Sequence, residues 1–428
     1  MYRIDDRPHD RRAEHSTSLA ILSTYIPRQC GLATFSNDLA RGIRRADPGA
    51  HVRILAIDDD ERTQPYPPDV ARTIRRNWRP SYRELAAWIN DSDVEALLVQ
   101  HEFGIFGGPE GAWLIDLLDH VRCPVITTLH TVLQDPAPHY LRRMHEVIER
   151  STRLVALTPS AVDILGDRYG VERSVVEVLP HGVPDRPFIP PASRRAAIKA
   201  EGRTVLMTFG LLGPSKGIED MIAAMVTVVQ THPEALYLVV GATHPGVAAH
   251  AGESYRHALE EQVARLGLQN NIRFIDRYME SDELFQWIEA CDVYVTPYPN
   301  RDQISSGTVA IALGLGRAVV STRFRYAEDL LADGRGLLVE PSAPGELASA
   351  VLALLDDPER RQQLQQRAYA YGRSMTWESV GRGYLDVVRL LLPVDTFAGT
   401  GTDGLPVPVA PLLSVRQGTT YAHRAVPG

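Results

Sequence analysis

The chain has 428 residues, enough for two domains that each bury a full-sized core. Its net charge of −8 and sequence pI of about 6.0 give no general attraction to nucleic acid or to an anionic membrane. Three scattered cysteines exclude a disulfide framework and a zinc site, so a reducing compartment is expected. The sequence lacks a signal-peptide pattern and any run near the ~20 apolar residues of a membrane span. We therefore expect a cytoplasmic protein with small-molecule partners, no nucleic acid ligand and no transmembrane segment.

The first half of the chain alternates apolar strands with amphipathic helices. Residues 1–17 form a polar leader that we expect to be disordered, and the pattern then runs to about residue 190. Such alternation predicts an α/β domain with a parallel sheet covered on both faces. The predicted strands are residues 19–26, 52–57, 96–100, 125–129, 154–157 and 175–178, and the predicted helices are residues 35–45, 82–89, 112–120, 140–149 and 161–169.

A proline-rich interruption at residues 180–191 predicts a domain boundary. A second alternation then indicates a second doubly wound, Rossmann-like domain over residues 191–375. Its expected strands are residues 204–209, 235–240, 272–275, 293–296, 318–320 and 336–339, and its expected helices include residues 218–229, 254–266, 282–290, 307–313 and 327–331.

Residues 344 to about 392 are predicted to be mostly helical, and the chain after them is predicted to be irregular. One apolar stripe runs through residues 376–393 and consists of Trp377, Val380, Tyr384, Val387 and Leu391. Residues 394–428 are rich in Gly, Pro and Thr, so we expect a poorly ordered tail.

A glycine-rich loop at residues 210–217 joins a predicted strand to a predicted helix. Glycines leave backbone N–H groups accessible to an anion, and the helix dipole adds positive potential at the same end. The loop therefore predicts a phosphate site, and a helix start without a ligand is the alternative. The glycines concerned are Gly210, Gly213 and Gly217.

Lys216 lies at the mouth of this loop. The chain has only one other lysine, Lys199, and uses arginine at every other basic position. A lysine retained here indicates a site that needs a small, mobile ammonium rather than a planar guanidinium. The alternative is an incidental solvated side chain.

Six motifs occur in a characteristic order along the chain. They are residues 30–35, 127–131, 179–183, 209–217, 290–298 and 307–322. In this order they resemble the GT-B glycosyltransferases, specifically the large retaining family of sucrose synthases and bacterial mannosyl- and glucosyltransferases (glycosyltransferase family 4-like, group 1). The resemblance covers about residues 18–392 and implies two Rossmann-like domains facing each other across a cleft.

The resemblance implies roles for residues on both sides of the cleft. His130 would contact the donor sugar or its phosphate, although a structural histidine is the alternative. Lys216 would stabilise the departing diphosphate, and Gly31 would let a ligand approach the first domain. His181 is expected to have a hinge or packing role. The helix start at Ser305, Ser306, Gly307 and Thr308 would add phosphate donors, and the base would be read near Tyr278, Met279 and Glu283, with Tyr278 as a possible core residue.

The chain departs from the family at two places. A pair of donor-site glutamates is replaced by Gln303 and Ile311; Gln303 can still hydrogen-bond a sugar hydroxyl, whereas Ile311 cannot hold a ribose. Leu211 stands where the family has an arginine on the donor phosphates. The candidates to replace that arginine are Arg28, Arg301 and Arg323.

Two further polar groups invite a functional interpretation. His101 and Glu102 end a strand and are possible acceptor contacts, but adjacent strand residues point to opposite faces, so at most one should face the cleft. An acidic triplet at residues 58–60 resembles the metal-binding triplet of the other glycosyltransferase fold. It is far in sequence from the donor motifs, so we expect a solvated loop, no metal and no cofactor.

The sequence thus predicts a metal-independent glycosyltransferase that moves a hexosyl group from a GDP-, UDP- or ADP-hexose to a carbohydrate or lipid acceptor. The family is rich in mannosyltransferases, so GDP-mannose is one candidate donor. Two alternatives remain at this stage. One is a retaining disaccharide phosphorylase that uses free phosphate, and the other is a non-catalytic protein that binds a sugar nucleotide.

Overall fold

The computed structural model describes residues 16–58 and 64–392, and these contain two parallel β-sheets. The order of the first sheet is β3-β2-β1-β4-β5-β6-β7, and that of the second is β10-β9-β8-β11-β12-β13. The first-sheet strands are β1 (Ser18–Ser23), β2 (His51–Asp58), β3 (Val70–Arg75), β4 (Ala96–His101), β5 (Val125–Leu129), β6 (Arg153–Ala156) and β7 (Val176–Val178). The second-sheet strands are β8 (Thr204–Phe209), β9 (Ala235–Val240), β10 (Ile272–Ile275), β11 (Val293–Thr296), β12 (Ala318–Thr322) and β13 (Leu337–Val339).

Helices pack on both sheets, so the predicted α/β architecture of two Rossmann-like domains is confirmed. In each sheet the strand order reverses beside the first strand of the domain. The reversal lies between β1 and β4 in the first sheet, and between β8 and β11 in the second. Loops leave in opposite directions at such a point and open a crevice at the carboxyl ends of the strands. The helices are α1 (Gly31–Ala46), α2 (Pro80–Asn90), α3 (Trp113–Leu118), α4 (Pro138–Glu149), α5 (Pro159–Tyr169), α6 (Ile218–Thr231), α7 (Pro245–Ala251), α8 (Ser254–Arg265), α9 (Ser281–Glu289), α10 (Gly307–Gly314), α11 (Arg325–Leu330), α12 (Pro344–Leu355), α13 (Pro358–Gly372) and α14 (Trp377–Leu391).

Two elements were not predicted from the sequence. Strand β3 is the edge strand of its sheet, and most of its residues are exposed, so it lacks the apolar run of a buried parallel strand. Helix α7 has seven residues, none of them buried, and so carries no apolar stripe. Within residues 16–58 and 64–392 no helix is both long and apolar enough to cross a bilayer.

Helix α14 returns to the first domain and packs across α1. A Cβ atom at Gly381 would lie 2.4 Å from the carbonyl carbon of Gly42, so the two backbones meet without side chains between them. The hydroxyl of Tyr384 is 2.8 Å from Oγ1 of Thr128 on β5. Trp377, Val380, Tyr384 and Val387 are buried in the first-domain core. The predicted apolar stripe is therefore the face that holds α14 on this domain.

The two connections between the domains touch each other. The Val183 N–H donates to the Met375 carbonyl at 2.8 Å, and the Trp377 N–H donates to the Val183 carbonyl at 3.2 Å. The Phe35 ring lies with its centroid 5.0 Å from that of Trp377 and 5.2 Å from that of His181. We call Phe35, His130, His181 and Trp377 the junction cluster. It joins α1, the end of β5, the linker and α14 at one point.

We predict that Gly381→Ala lowers the free energy of unfolding by at least about 2 kcal/mol, because the new methyl group would overlap backbone atoms of α1. Urea denaturation measures this change. Gly345→Ala in α12 is the matched control, since a Cβ there meets nothing within 4 Å. Alanine should be neutral or slightly stabilising at that position. Equal effects of the two substitutions would contradict the close contact between α1 and α14.

We also predict that acid destabilises the fold through His101. This side chain is 1% exposed, and burial lowers its pKa to about 4. Between pH 6.5 and 4 the unfolded state therefore binds more protons at this residue than the native state does, so the free energy of unfolding falls as the pH is lowered. Burial also raises the pKa of Asp38 to about 6. This shift makes the free energy of unfolding rise as the pH is lowered, which opposes the effect of His101. The experiment therefore needs a variant that removes only the titration of His101.

His101→Gln removes the titrating group and should reduce the loss of stability between pH 6.5 and 4 by up to about 3 kcal/mol. Urea denaturation of the wild type and this variant at several pH values measures the difference. Parallel pH profiles, or an imidazole signal of His101 that titrates near 6.5, would show that the ring is not held neutral by burial.

Candidate active site

A cleft of about 680 Å³ lies between the two domains, at the carboxyl ends of the two sheets. One wall comes from the first domain, the linker and the start of α14, and the other comes from the second domain. The first wall is lined by Cys30, Gly31, Leu32, Thr34, Phe35, Asp38, Glu102, His130, His181, Pro184 and Trp377. The second wall includes Phe209, Gly210, Leu211, Gly213, Ser215, Lys216, His244, Arg277, Tyr278, Ser305, Gly307, Thr308 and Ile311.

Lys216 is fixed at the mouth of the glycine loop. Its ammonium donates to the Tyr298 hydroxyl at 3.0 Å and lies 4.2 Å from the centre of that ring. Tyr298 is fully buried, and its hydroxyl is 2.9 Å from Oγ1 of Thr308. Gly217, at φ +59°, admits no side chain, because a Cβ would lie 2.0 Å from the Pro297 carbonyl oxygen. The loop after β8 therefore presents a held cation to the cleft.

A second loop, between β9 and α7, supports the glycine loop. The Leu212 N–H donates to the Ala242 carbonyl, and the His244 N–H donates to the Leu212 carbonyl, both at 2.8 Å. Arg256 is 3% exposed, donates to the Gly241 carbonyl at 2.9 Å and contacts Asp276 at 2.6 Å. This buried guanidinium joins the second loop to α8 and to the segment that follows β10.

The start of α10 faces the cleft with its N-terminus. The side chain of Ser306, the residue before the helix, makes no capping hydrogen bond, so it leaves the first N–H groups of the helix uncapped. The hydroxyl of Ser305 donates across the cleft to the His130 carbonyl at 3.0 Å. A Cβ at Gly307 would lie 2.7 Å from Nε2 of His181, so glycine permits the close approach of linker and helix. Helix α1 begins at Gly31, where the space beside the Cα atom is open.

The polar side chains of the first wall are uncharged or acidic. His130 donates through Nε2 to the Gln100 side-chain oxygen at 2.9 Å. Burial holds the pKa of His130 and of His181 well below the ordinary value, so both rings are neutral. Glu102 accepts a hydrogen bond from the Phe103 N–H at 3.0 Å and another from the Thr131 hydroxyl. Burial raises the pKa of Glu102.

Of the predicted site residues, those on the glycine loop, the start of α10 and the first-domain loops are brought together. Only Glu102 of the adjacent pair faces the cleft, because His101 is buried beside Phe103 and Phe106. The Gln303 amide donates to the Ser305 carbonyl at 2.7 Å and supports the turn before α10. The predicted residues that do not line the cleft are Arg28, His101, Gly217, Glu283, Arg301, Gln303 and Ser306.

The cations proposed to replace the family arginine lie elsewhere. Arg301 and Arg323 both pair with Glu340 outside the cleft, and Arg28 is not a lining residue. Arg277 lines the cleft instead and donates to the Glu283 carboxylate at 2.8 Å. Glu283 therefore pairs with a lining residue but does not line the cleft itself.

Outside the motifs, sequence reasoning missed three lining residues with ionisable side chains: Asp38, His244 and Arg277. His244 Nδ1 accepts the Gly246 N–H at 3.0 Å, which leaves Nε2 as the donor of the neutral ring. None of the three belongs to a motif. The only signal for Arg277 and His244 was that each follows the carboxyl end of a predicted strand.

In the part of the chain that the structure describes, no group of three or more His, Cys, Asp or Glu side chains is arranged to hold a metal. Asp58 ends β2 and accepts from the Tyr66 hydroxyl at 3.3 Å. The other two residues of the acidic triplet, Asp59 and Asp60, lie outside the described residues.

Two family profiles match consecutive parts of the chain. Residues 30–186 match glycosyltransferase family 4, and residues 191–371 match glycosyl transferases group 1. A D-inositol 3-phosphate glycosyltransferase from Catenulispora acidiphila is 28% identical over 281 residues, which is 62% of this chain and 64% of that protein. Another from Acidothermus cellulolyticus is 30% identical over 286 residues, 62% of each. The chain thus spans just under two thirds of these relatives.

Solved structures share the fold. Sucrose-phosphate synthase from Thermosynechococcus elongatus superposes with a TM-score of 0.72 at 18% identity, over 88% of this chain and 99% of that one. HepE from Anabaena, in complex with UDP and glucose, gives a TM-score of 0.70 at 16% identity, over 87% and 100% of the respective chains. With the two profile matches, this fold leads to one conclusion: the chain belongs to the family 4, group 1 glycosyltransferases and has the GT-B fold.

Proposed function

We propose that the enzyme transfers a hexosyl group, such as glucosyl or mannosyl, from a nucleotide sugar to a hydroxyl of a carbohydrate-like or lipid acceptor, with retention and without a metal. The observation that carries this proposal is the position of Lys216 in the cleft. Its ammonium is held by Tyr298 beside Gly210 and Gly213 and opposite the start of α1. UDP and UDP-glucose bound in HepE structures support the choice of donor class. A cytoplasmic location would give the enzyme access to such donors.

The leaving diphosphate would be bound in the second wall. Lys216, the N–H group of Gly213 and the start of α10 at Gly307 belong to this wall, whereas the Gly210 N–H donates to the Val240 carbonyl at 3.0 Å and is not available to a phosphate. Developing negative charge on the leaving oxygen is stabilised by donors that are already oriented, which costs no reorganisation during the reaction. Arg277 is the second cation on this wall and takes the place that sequence reasoning assigned to Arg28, Arg301 or Arg323.

The transfer needs no protein nucleophile in this proposal. The bond between C1 of the sugar and the diphosphate oxygen breaks while the acceptor oxygen bonds to C1 on the same face. The departing diphosphate oxygen takes the acceptor proton. His130 is neutral, and with Nε2 donating to Gln100, its Nδ1 is the ring's acceptor for a sugar hydroxyl. Gln303 would act by positioning Ser305, and Glu102 would contact the acceptor.

The base of the nucleotide would pack on the apolar part of the second wall. Phe209, Val240, Met279 and Leu284 line this region, with Tyr278 and Arg277 beside them. An apolar surface with a few polar groups at its edge is typical of a small-molecule site.

The phosphorylase alternative is favoured by one observation. Ile311 lines the cleft where the family has a carboxylate for the ribose, so this position offers a nucleotide no hydrogen bond. A free phosphate could be held by Lys216 without a ribose contact. Release of a hexose 1-phosphate that depends on added phosphate would identify this activity.

We predict that Lys216→Ala lowers kcat/KM for the nucleotide sugar at least ~100-fold, because it removes stabilisation of the leaving diphosphate. The loss in thermal unfolding temperature should be small, since the side chain is only half-buried. Steady-state kinetics with UDP-glucose, GDP-mannose and ADP-glucose measure the effect.

Lys199→Ala is the matched control, because Lys199 is the only other lysine and is not a lining residue of the cleft. It should retain wild-type kinetics. Wild-type turnover by Lys216→Ala would refute the assignment of the phosphate site.

We predict that activity survives EDTA, because the proposed charge stabilisation comes from Lys216, Arg277 and backbone N–H groups. Initial rates after chelation and dialysis should lie within ~2-fold of the untreated enzyme, with the donor supplied metal-free. A strict requirement for Mn²⁺ or Mg²⁺ would redirect attention to the acidic triplet at residues 58–60.

A further inference from the structure

The charges that face the cleft are divided between its two walls. Lys216 and Arg277 are the cations among the described lining residues, and both belong to the second domain. The charged lining residues of the first wall are Asp38 and Glu102, both acidic. The donor phosphates and the acceptor therefore meet surfaces of opposite sign.

No histidine of the first wall offsets this acidity. His130 and His181 are kept neutral by burial, and one nitrogen of each ring donates within the protein, to the Gln100 side-chain oxygen at 2.9 Å and to the Gly182 carbonyl at 2.8 Å. An anionic acceptor on this wall would find hydrogen-bond partners but no positive charge from the described lining residues.

The nearest arginines around the acidic pair are held elsewhere. Arg143, on α4 behind His101, is paired with Glu146 and is not a lining residue. Arg41 and Arg45 are exposed on α1 and favour the charged form of Asp38, but neither faces the cleft. Glu102 has hydrogen bonds only from Phe103 and Thr131 among the described contacts, so its charge has no paired cation.

We propose that the acceptor is a phosphate-free polyol, whose hydroxyls donate to Asp38 and Glu102. Carboxylates accept hydrogen bonds from hydroxyls readily, whereas they repel a phosphate placed beside them. This inference rests on the proposed function and narrows its acceptor class. The proposed acceptor differs from D-inositol 3-phosphate, the phosphorylated compound in the names of the relatives, because it carries no phosphate.

Matched acceptor pairs test the proposal. myo-Inositol is compared with D-inositol 3-phosphate, and glucose with glucose 6-phosphate, using the nucleotide sugar that the wild-type enzyme hydrolyses in water. In each pair the phosphate-free member should have the higher kcat/KM, by at least ~10-fold, because like charges in a cleft are strongly unfavourable.

Two nearly isosteric variants assign this preference to the named carboxylates. Asp38→Asn and Glu102→Gln should each raise KM for the phosphate-free acceptor and reduce the preference within each pair at least ~3-fold, since repulsion is removed. Asp93→Asn is the control, because Asp93 pairs with Arg53 and does not line the cleft. It should leave the preference unchanged.

The inference is overturned if the phosphorylated members are used equally well or better, or if no phosphate-free member is used. It also fails if both variants keep the wild-type preference. Donor hydrolysis separates these results from the proposed function. Hydrolysis without the predicted preference overturns only the acceptor class, whereas absence of hydrolysis with all three donors overturns the proposed function and this inference together.

Discussion

The contact of four rings at the junction cluster is the constraint on which the cleft depends. Phe35 contacts His130, His181 and Trp377 with ring centroids 4.8, 5.2 and 5.0 Å apart. These rings come from α1, the end of β5, the linker and α14. Because both chain crossings meet here, the two sheets are held with their carboxyl ends facing each other while the space above remains open.

Glycines make this close approach possible. Gly182 admits the Trp377 ring, since a Cβ there would lie 2.1 Å from it, and Gly307 admits His181. Contacts farther out join the same two halves. The Ser160 N–H donates to Asp329 at 2.9 Å, and the Ser305 hydroxyl donates to the His130 carbonyl. Burial of the junction histidines also keeps them neutral, so they add no positive charge to the first wall. The same packing thus fixes the geometry of the cleft and leaves Asp38 and Glu102 as the charged lining residues of that wall.

Much of the fold was predictable from the sequence because buried parallel strands carry continuous apolar runs. Residues 125–129 and 204–209 were predicted as strands with the bounds that β5 and β8 have. Exposed elements such as β3 and α7 could not be predicted in this way, since their residues have few core contacts. The glycine loop was recognisable because its chemistry is local.

The rest of the site depends on contacts between elements that are distant in sequence. Arg277 lines the cleft and pairs with Glu283, whereas Arg301 pairs with Glu340 outside the cleft, and neither pairing is visible in the sequence. Asp38 lies about two turns into α1 and belongs to no motif, so only the packing of the two domains reveals that it lines the cleft. The family resemblance, by contrast, was carried by short local motifs and was confirmed.

The central claim is that the second wall holds the phosphates of a nucleoside diphosphate through Lys216. Isothermal titration calorimetry with UDP, GDP and ADP, and with uridine, guanosine and adenosine, tests it most directly. The account predicts that one diphosphate binds at 1:1 stoichiometry at least ~30-fold more tightly than its nucleoside, and that Lys216→Ala abolishes most of this difference. Equal affinity for nucleoside and diphosphate, or binding of inorganic phosphate with none of the nucleotides, would contradict it.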